Sequence, residues 1–198
     1  MQLFVTSECP IESARALDDA RVVNQCRETA QLICTALLDF GVSVPYRPTH
    51  PHHPVTKWVA SDHDHLGWAV DHLRALRDEH LHRFPGSAEH RSAALVLPVA
   101  CDFLDRSMTG MPDLFQNSAR NDDLGLDFTH LPVFDAYRAY LSARWLTASR
   151  APRWTRRVAP SWHDPDRRDG ACATTPASAC SCGPTLSTGR TAGTAPPT

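Results

Sequence analysis

Apolar residues recur at helical spacing along most of the first 147 positions, and this predicts four or five helices with little or no strand. After a short, strand-like apolar opening at Leu3 to Val5, Pro10 or Ser13 starts a helix that reaches about Phe40. Val23, Cys26, Ala30, Ile33, Cys34 and Leu37 form its buried face, and Arg21, Asn24, Arg27, Glu28, Gln31 and Thr35 gather on another. Gly41 is its stop, and the prolines and histidines from Val42 to Pro54 make a loop. A short helix follows over Pro54 to Ala60. Ser61 is the expected N-cap of the next, with Asp62 and Asp64 in its first turn. That helix presents Leu66, Ala69, Val70, Leu73, Leu76 and Leu81 to the core and ends near Pro85-Gly86. Ala93 to Leu104 is apolar but interrupted by Pro98, and Gly110 to Thr129 is rich in turn residues. A last helix, Pro132 to Thr147, buries Phe134, Tyr137, Leu141 and Trp145.

From position 163 the pattern stops. Pro, Gly, Ala, Thr and Ser dominate, with no large apolar face to offset the entropy of ordering them. The expected organisation is therefore one all-α domain over residues 1–162 and a disordered tail over residues 163–198. No basic n-region precedes an apolar run at the start, and no stretch approaches the roughly 20 apolar residues of a membrane span. A cytoplasmic protein without membrane association is expected. Cys9, Cys26, Cys34 and Cys101 read as small core residues. Cys172, Cys180 and Cys182 lie in the tail without the paired spacing a zinc site needs.

Charge is distributed unevenly. The net charge is −2, yet Ala136 to His163 carries six arginines and no acid. Residues from Asp164 onward are neutral overall, which leaves −8 for residues 1–135. One basic segment in an otherwise acidic domain is the footprint of a phosphate-binding surface, or of a solvated Arg-rich helix end.

The first long helix carries a more specific pattern. In Asp19-Ala-Arg21-Val-Val-Asn-Gln-Cys-Arg27-Glu28, two helical turns separate Arg21 from Glu28 and put both on one face. This arrangement resembles the first helix of the phage-type pyrimidine-dimer DNA glycosylase (endonuclease V) family, which has His where Arg21 stands and an Arg-Glu pair at the position of Arg27-Glu28. Phage-encoded members of that group also show motifs similar to Glu28-Thr-Ala-Gln31, to Thr49-His50-Pro-His-His53-Pro54 with Trp58, and to Trp154-Thr-Arg-Arg157-Val-Ala-Pro160-Ser-Trp162. The resemblance spans residues 1–162.

It implies a cofactor-free DNA repair enzyme that cleaves the N-glycosidic bond of damaged or modified pyrimidines in double-stranded DNA, with or without AP-lyase nicking. By this resemblance Glu28 is the catalytic carboxylate, and Arg27 and Arg21 contact phosphate or sugar. Gln31, His50 and His53 lie near the DNA-facing cleft. Arg153, Trp154, Arg156 and Arg157 grip the duplex, Trp154 by stacking unless it is a packing tether. The family's nucleophile is the chain's own α-amine, exposed on a small residue. Gln follows Met1 here, so either the Met1 amine attacks or Glu28 activates water. A non-catalytic DNA-binding protein and an enzyme acting on modified nucleotides are the alternatives. No protein partner is implied. His65, His72 and Glu79 recur at seven-residue steps, but without an H-E-x-x-H pair they read as solvated helix surface, and no metal is expected.

Overall fold

The computed structural model describes residues 1–104 and 110–164. Six α-helices run α1 (Pro10–Ala16), α2 (Asp19–Asp39), α3 (Pro54–Ser61), α4 (His63–Arg83), α5 (Arg91–Leu104) and α6 (Val133–Leu146). Between α5 and α6, β1 (Arg120–Asn121) pairs antiparallel with β2 (Leu126–Asp127) in a two-residue hairpin. The architecture is all-α, as the periodicity predicts. The expected tail falls, from residue 165 on, outside the described residues.

The long helices α2 and α4 pack against each other at the centre, with α3 and α5 against both and α1 against α4. Val22, Cys26, Ala30, Ile33 and Leu37 are buried on α2, and Leu66, Ala69, Val70, Leu73 and Leu76 on α4. Gly41 ends α2 in the left-handed conformation at φ +77°. Its N–H and that of Val42 reach back to the Leu38 and Leu37 carbonyls, which satisfies the last turn. Cys9, Cys26 and Cys34 are buried free thiols, and burial pushes Cys26 up to about 12, so it is packing material and not a nucleophile.

Several local expectations are corrected. The first helix breaks at Leu17 and Asp18, both extended. The break lets the Asp18 carboxylate accept from the Trp145 indole (3.0 Å) and Arg21 (2.7 Å). Leu3 to Val5 pairs with no strand, although all three are buried. Phe4 packs on Tyr137 and Tyr140 of α6. Asp62, not Ser61, caps α4 by accepting the Asp64 N–H (2.7 Å), while the Ser61 hydroxyl donates to the Trp58 carbonyl. Helix α5 runs through Pro98. One lost backbone bond is tolerated because Ala93, Val96, Leu97 and Ala100 are buried on it.

Five side chains change environment. Val23 and Leu81 are exposed, at 36% and 40%, and Val22 takes the core position. Thr35 is buried, its hydroxyl donating to the Gln31 carbonyl. The α4 face read as solvated surface is largely interior: His72 is fully buried, stacked on Trp68 and bonded to the Pro10 carbonyl. Glu79 is buried among arginines.

Candidate active site and nucleic-acid interface

The N-terminal segment lies between α2 and α6. Phe4 is fixed by the α6 tyrosines, and the Thr6 carbonyl accepts from Arg138 Nε (3.0 Å). This brings residue 2 onto the polar face of α2, where its backbone N–H donates to Glu28 Oε2 (3.1 Å). The Gln2 side chain is tied separately, donating to the carbonyls of Ser118 (2.8 Å) and Arg120 (3.1 Å) at the hairpin. Gln2 thus links α2, through Glu28, to the distant hairpin.

Glu28 is half-buried, with Arg27 exposed beside it and Gln31 one turn on, also half-buried. The loop bearing the histidines is pinned to the same helix, because the Thr35 hydroxyl accepts the Thr49 N–H (3.1 Å). His50 follows in the left-handed region (φ +50°), uncommon for a residue with a side chain, with its ring 2.6 Å from the Thr49 hydroxyl. His53 caps α3 by accepting the Val55 N–H (3.2 Å). Burial chiefly, then the charge of the amino terminus and of His50, holds His53 below the ordinary histidine range. The histidine loop and the amino-terminal segment are thus both tied to α2, at Thr35 and at Glu28.

Arg21 is not part of that cluster. It pairs with Asp18 and lies over the Trp145 ring (5.8 Å), at the beginning of α2. The basic C-terminal segment is also divided. Arg157 donates to both carboxylate oxygens of Glu79 (2.6 and 3.0 Å), and Glu79 also accepts from Arg83 (3.0 Å), whose side chain has no exposure. Burial alone would raise the Glu79 carboxyl; hydrogen bonds from Arg157 and Arg83, with their charges, hold it below its ordinary value. The Trp154 indole donates to the Ala16 carbonyl (3.0 Å), and its ring meets Trp145 edge-on. Trp162 stacks on Trp145 at 5.3 Å. Both tryptophans are thus engaged in holding the segment to the domain. Arg150, Arg153 and Arg156 are exposed, and none forms an ion pair with the described residues. Backbone bonds hold the last two in place, from Asp19 N–H to the Arg153 carbonyl (2.8 Å) and between the His82 ring and the Arg156 carbonyl (3.2 Å).

Sequence reasoning missed Gln25, whose side chain donates to Glu28 Oε2 (3.1 Å), and the hairpin carbonyls that hold Gln2. The three-residue helical spacing to Glu28 was available as a signal for Gln25. No local pattern announces contacts more than 100 positions apart. No cluster of three or more metal-ligating side chains occurs among the described residues, and among them no helix is long and apolar enough to cross a membrane.

Residues 1–91 match the family model described as pyrimidine dimer DNA glycosylase. No curated protein and no solved structure matches the chain. The matched segment contains Met1, Glu28 and the histidine loop, so the similarity to that family covers the α2 cluster and stops before the hairpin, α6 and the basic C-terminal segment.

Proposed function

We propose that this protein excises damaged or modified pyrimidines from double-stranded DNA by N-glycosidic cleavage, with Glu28 as the catalytic carboxylate. One observation carries the reading: a half-buried carboxylate on the polar face of α2 is met by the chain's own amino-terminal segment. As the C1′–N bond breaks, the sugar becomes cationic, and an ionised Glu28 stabilises it electrostatically. The departing base carries away the bonding pair and is protonated from solvent.

On one route the nucleophile that completes the reaction is the Met1 amine. Its attack forms a C1′–N bond; the C1′–O4′ bond then opens, one amine proton passing to the ring oxygen, to give an imine, from which a base removes a C2′ proton and the 3′ phosphate departs by β-elimination. The bond from the Gln2 N–H to Glu28 favours this route, since it brings the residue next to Met1 onto the carboxylate. Gln at position 2 favours the other route, in which Glu28 takes a proton from an attacking water and the strand stays whole. Arg27, Gln31, His50 and His53 border the reacting nucleotide, and Arg153 and Arg156 neutralise phosphates further along the duplex.

UV-irradiated duplex DNA tests the proposal. Formation of alkali-labile abasic sites by the wild type, lowered roughly 100- to 10,000-fold in Glu28→Gln with DNA binding intact, is the expected result. Full activity in Glu28→Gln would sink the assignment. Borohydride separates the routes, since it traps an enzyme–DNA adduct only if the amine attacks.

A further inference from the structure

We infer that Gln25 is a positioning residue for Glu28, fixing one carboxylate oxygen so that the other is left for the reaction; this rests on the reading of Glu28 as the catalytic carboxylate. Gln25 sits one turn before Glu28 on α2 and is 2% exposed. Its Nε2 donates to Glu28 Oε2 at 3.1 Å, and the Gln2 backbone N–H donates to that same oxygen at 3.1 Å. Two donors from different segments converge on Oε2. Oε1 accepts no hydrogen bond from the described residues. A planar carboxylate held at one oxygen by two donors has its other oxygen set as well, and catalytic groups gain from being fixed before the substrate arrives.

The other end of the Gln25 amide indicates what the residue is for. Its Oε1 is buried with no hydrogen-bond partner among the described residues. Flipping the amide removes no difficulty, because it would set a carbonyl oxygen against a carboxylate and strand the NH2 instead. A buried site that leaves an acceptor unpartnered is poorly served by Gln as packing, and an unbranched apolar side chain of similar length fits it better. Among the described residues, the Gln25 amide's single hydrogen bond is to Glu28. Local rules are broken in this manner where function requires it.

The test compares wild type, Gln25→Met, Glu28→Gln and the double variant. Single-turnover N-glycosidic cleavage of a duplex bearing one pyrimidine dimer (read as alkali-labile abasic sites, since the cleaved base stays tethered to its dimer partner), duplex affinity and melting temperature are measured for each. Gln25→Met is expected to slow N-glycosidic cleavage roughly 10- to 100-fold, the worth of one hydrogen bond to a charged group. Affinity should stay at the wild-type value, and the melting temperature should be unchanged or higher. In the Glu28→Gln background the same substitution should cause no further loss, since Gln25 acts through that carboxylate. A wild-type rate in Gln25→Met, while Glu28→Gln is slow, overturns the inference alone. Multiplicative losses in the double variant also overturn it. So does a joint fall in rate, affinity and melting temperature in both Gln25→Met and Gln25→Leu, which marks a purely structural residue. A wild-type rate in Glu28→Gln removes the functional reading and this inference with it.

Discussion

Replacing the exposed arginines and the buried-acid arginine of the C-terminal segment by the same residue separates holding DNA from holding the fold. Arg153 and Arg156 are exposed and their backbones are fixed, whereas Arg157 is committed to Glu79 by a two-oxygen contact as short as 2.6 Å. Each phosphate neutralised contributes roughly 0.9 to the slope of log affinity against log salt on duplex DNA. The double variant Arg153→Gln/Arg156→Gln should therefore lower the magnitude of that slope by about 1.8. Over a fourfold rise in salt, wild type would then lose about tenfold more affinity than the variant. Arg157→Gln should leave the slope alone and lower stability instead. A hydrogen bond to a charged group contributes about 1.5–3 kcal/mol. The low end applies, because the Arg157 side chain is 29% exposed and Glu79 retains Arg83. A loss of about 1.5 kcal/mol corresponds to a fall in melting temperature of about 3–6 °C for a domain of this size. Fluorescence anisotropy of a labelled duplex at several salt concentrations, with thermal melts of the same samples, measures both. A slope lowered by about 0.9 in Arg157→Gln at an unchanged melting temperature would refute the division of the segment.

Two pH windows of stability should be separable. His72 is held neutral down to about 4 by burial, against the pull of its bond to the Pro10 carbonyl, so its contribution is present above about 6.5 and is lost as pH falls through about 4. His72→Gln should flatten the melting curve in that range. Glu79 is depressed by its arginines, so its contribution is present above about 4.5 and is lost only as pH falls below that, through its folded value. Glu79→Gln should remove that lowest-pH decline while lowering the melting temperature at neutral pH, and an unaltered acid limb would show that the carboxylate is not linked to folding. Trp145→Ala should cost about 3–5 kcal/mol, because it removes the ring that Trp154 meets edge-on and Trp162 stacks against, and strips Asp18 of a donor; a change under about 1 kcal/mol in a denaturant melt would contradict the tether role.

The parts of the molecule readable from sequence are those whose partners are near in sequence. The buried faces of α2 and α4 follow from the 3.6-residue period because apolar side chains need only a common side to be on. The Gly41 stop was legible for the same reason, as its bonds reach back only to Leu37 and Leu38. Polar side chains behave differently, because their burial depends on a partner whose location periodicity does not encode. Asp18 breaks the first helix to serve Trp145, 127 positions away. His72 reads as surface until the Pro10 carbonyl is set against it, and Glu79 until Arg157 arrives from 78 positions downstream. Trp154 posed the same ambiguity: its sequence supports stacking on a base as well as packing, and only the Ala16 carbonyl and the Trp145 ring distinguish the two. Glu28 stood out because two helical turns and a family resemblance pointed to it, but its setting depended on residue 2 and, behind that, on carbonyls at Ser118 and Arg120. A site assembled from a chain terminus, a helix and a distant hairpin has its chemistry written locally and its geometry written in the fold. Gln25 is the one component of that geometry within local reach. It went unread because a buried glutamine on an amphipathic helix belongs to neither the apolar face nor the polar one.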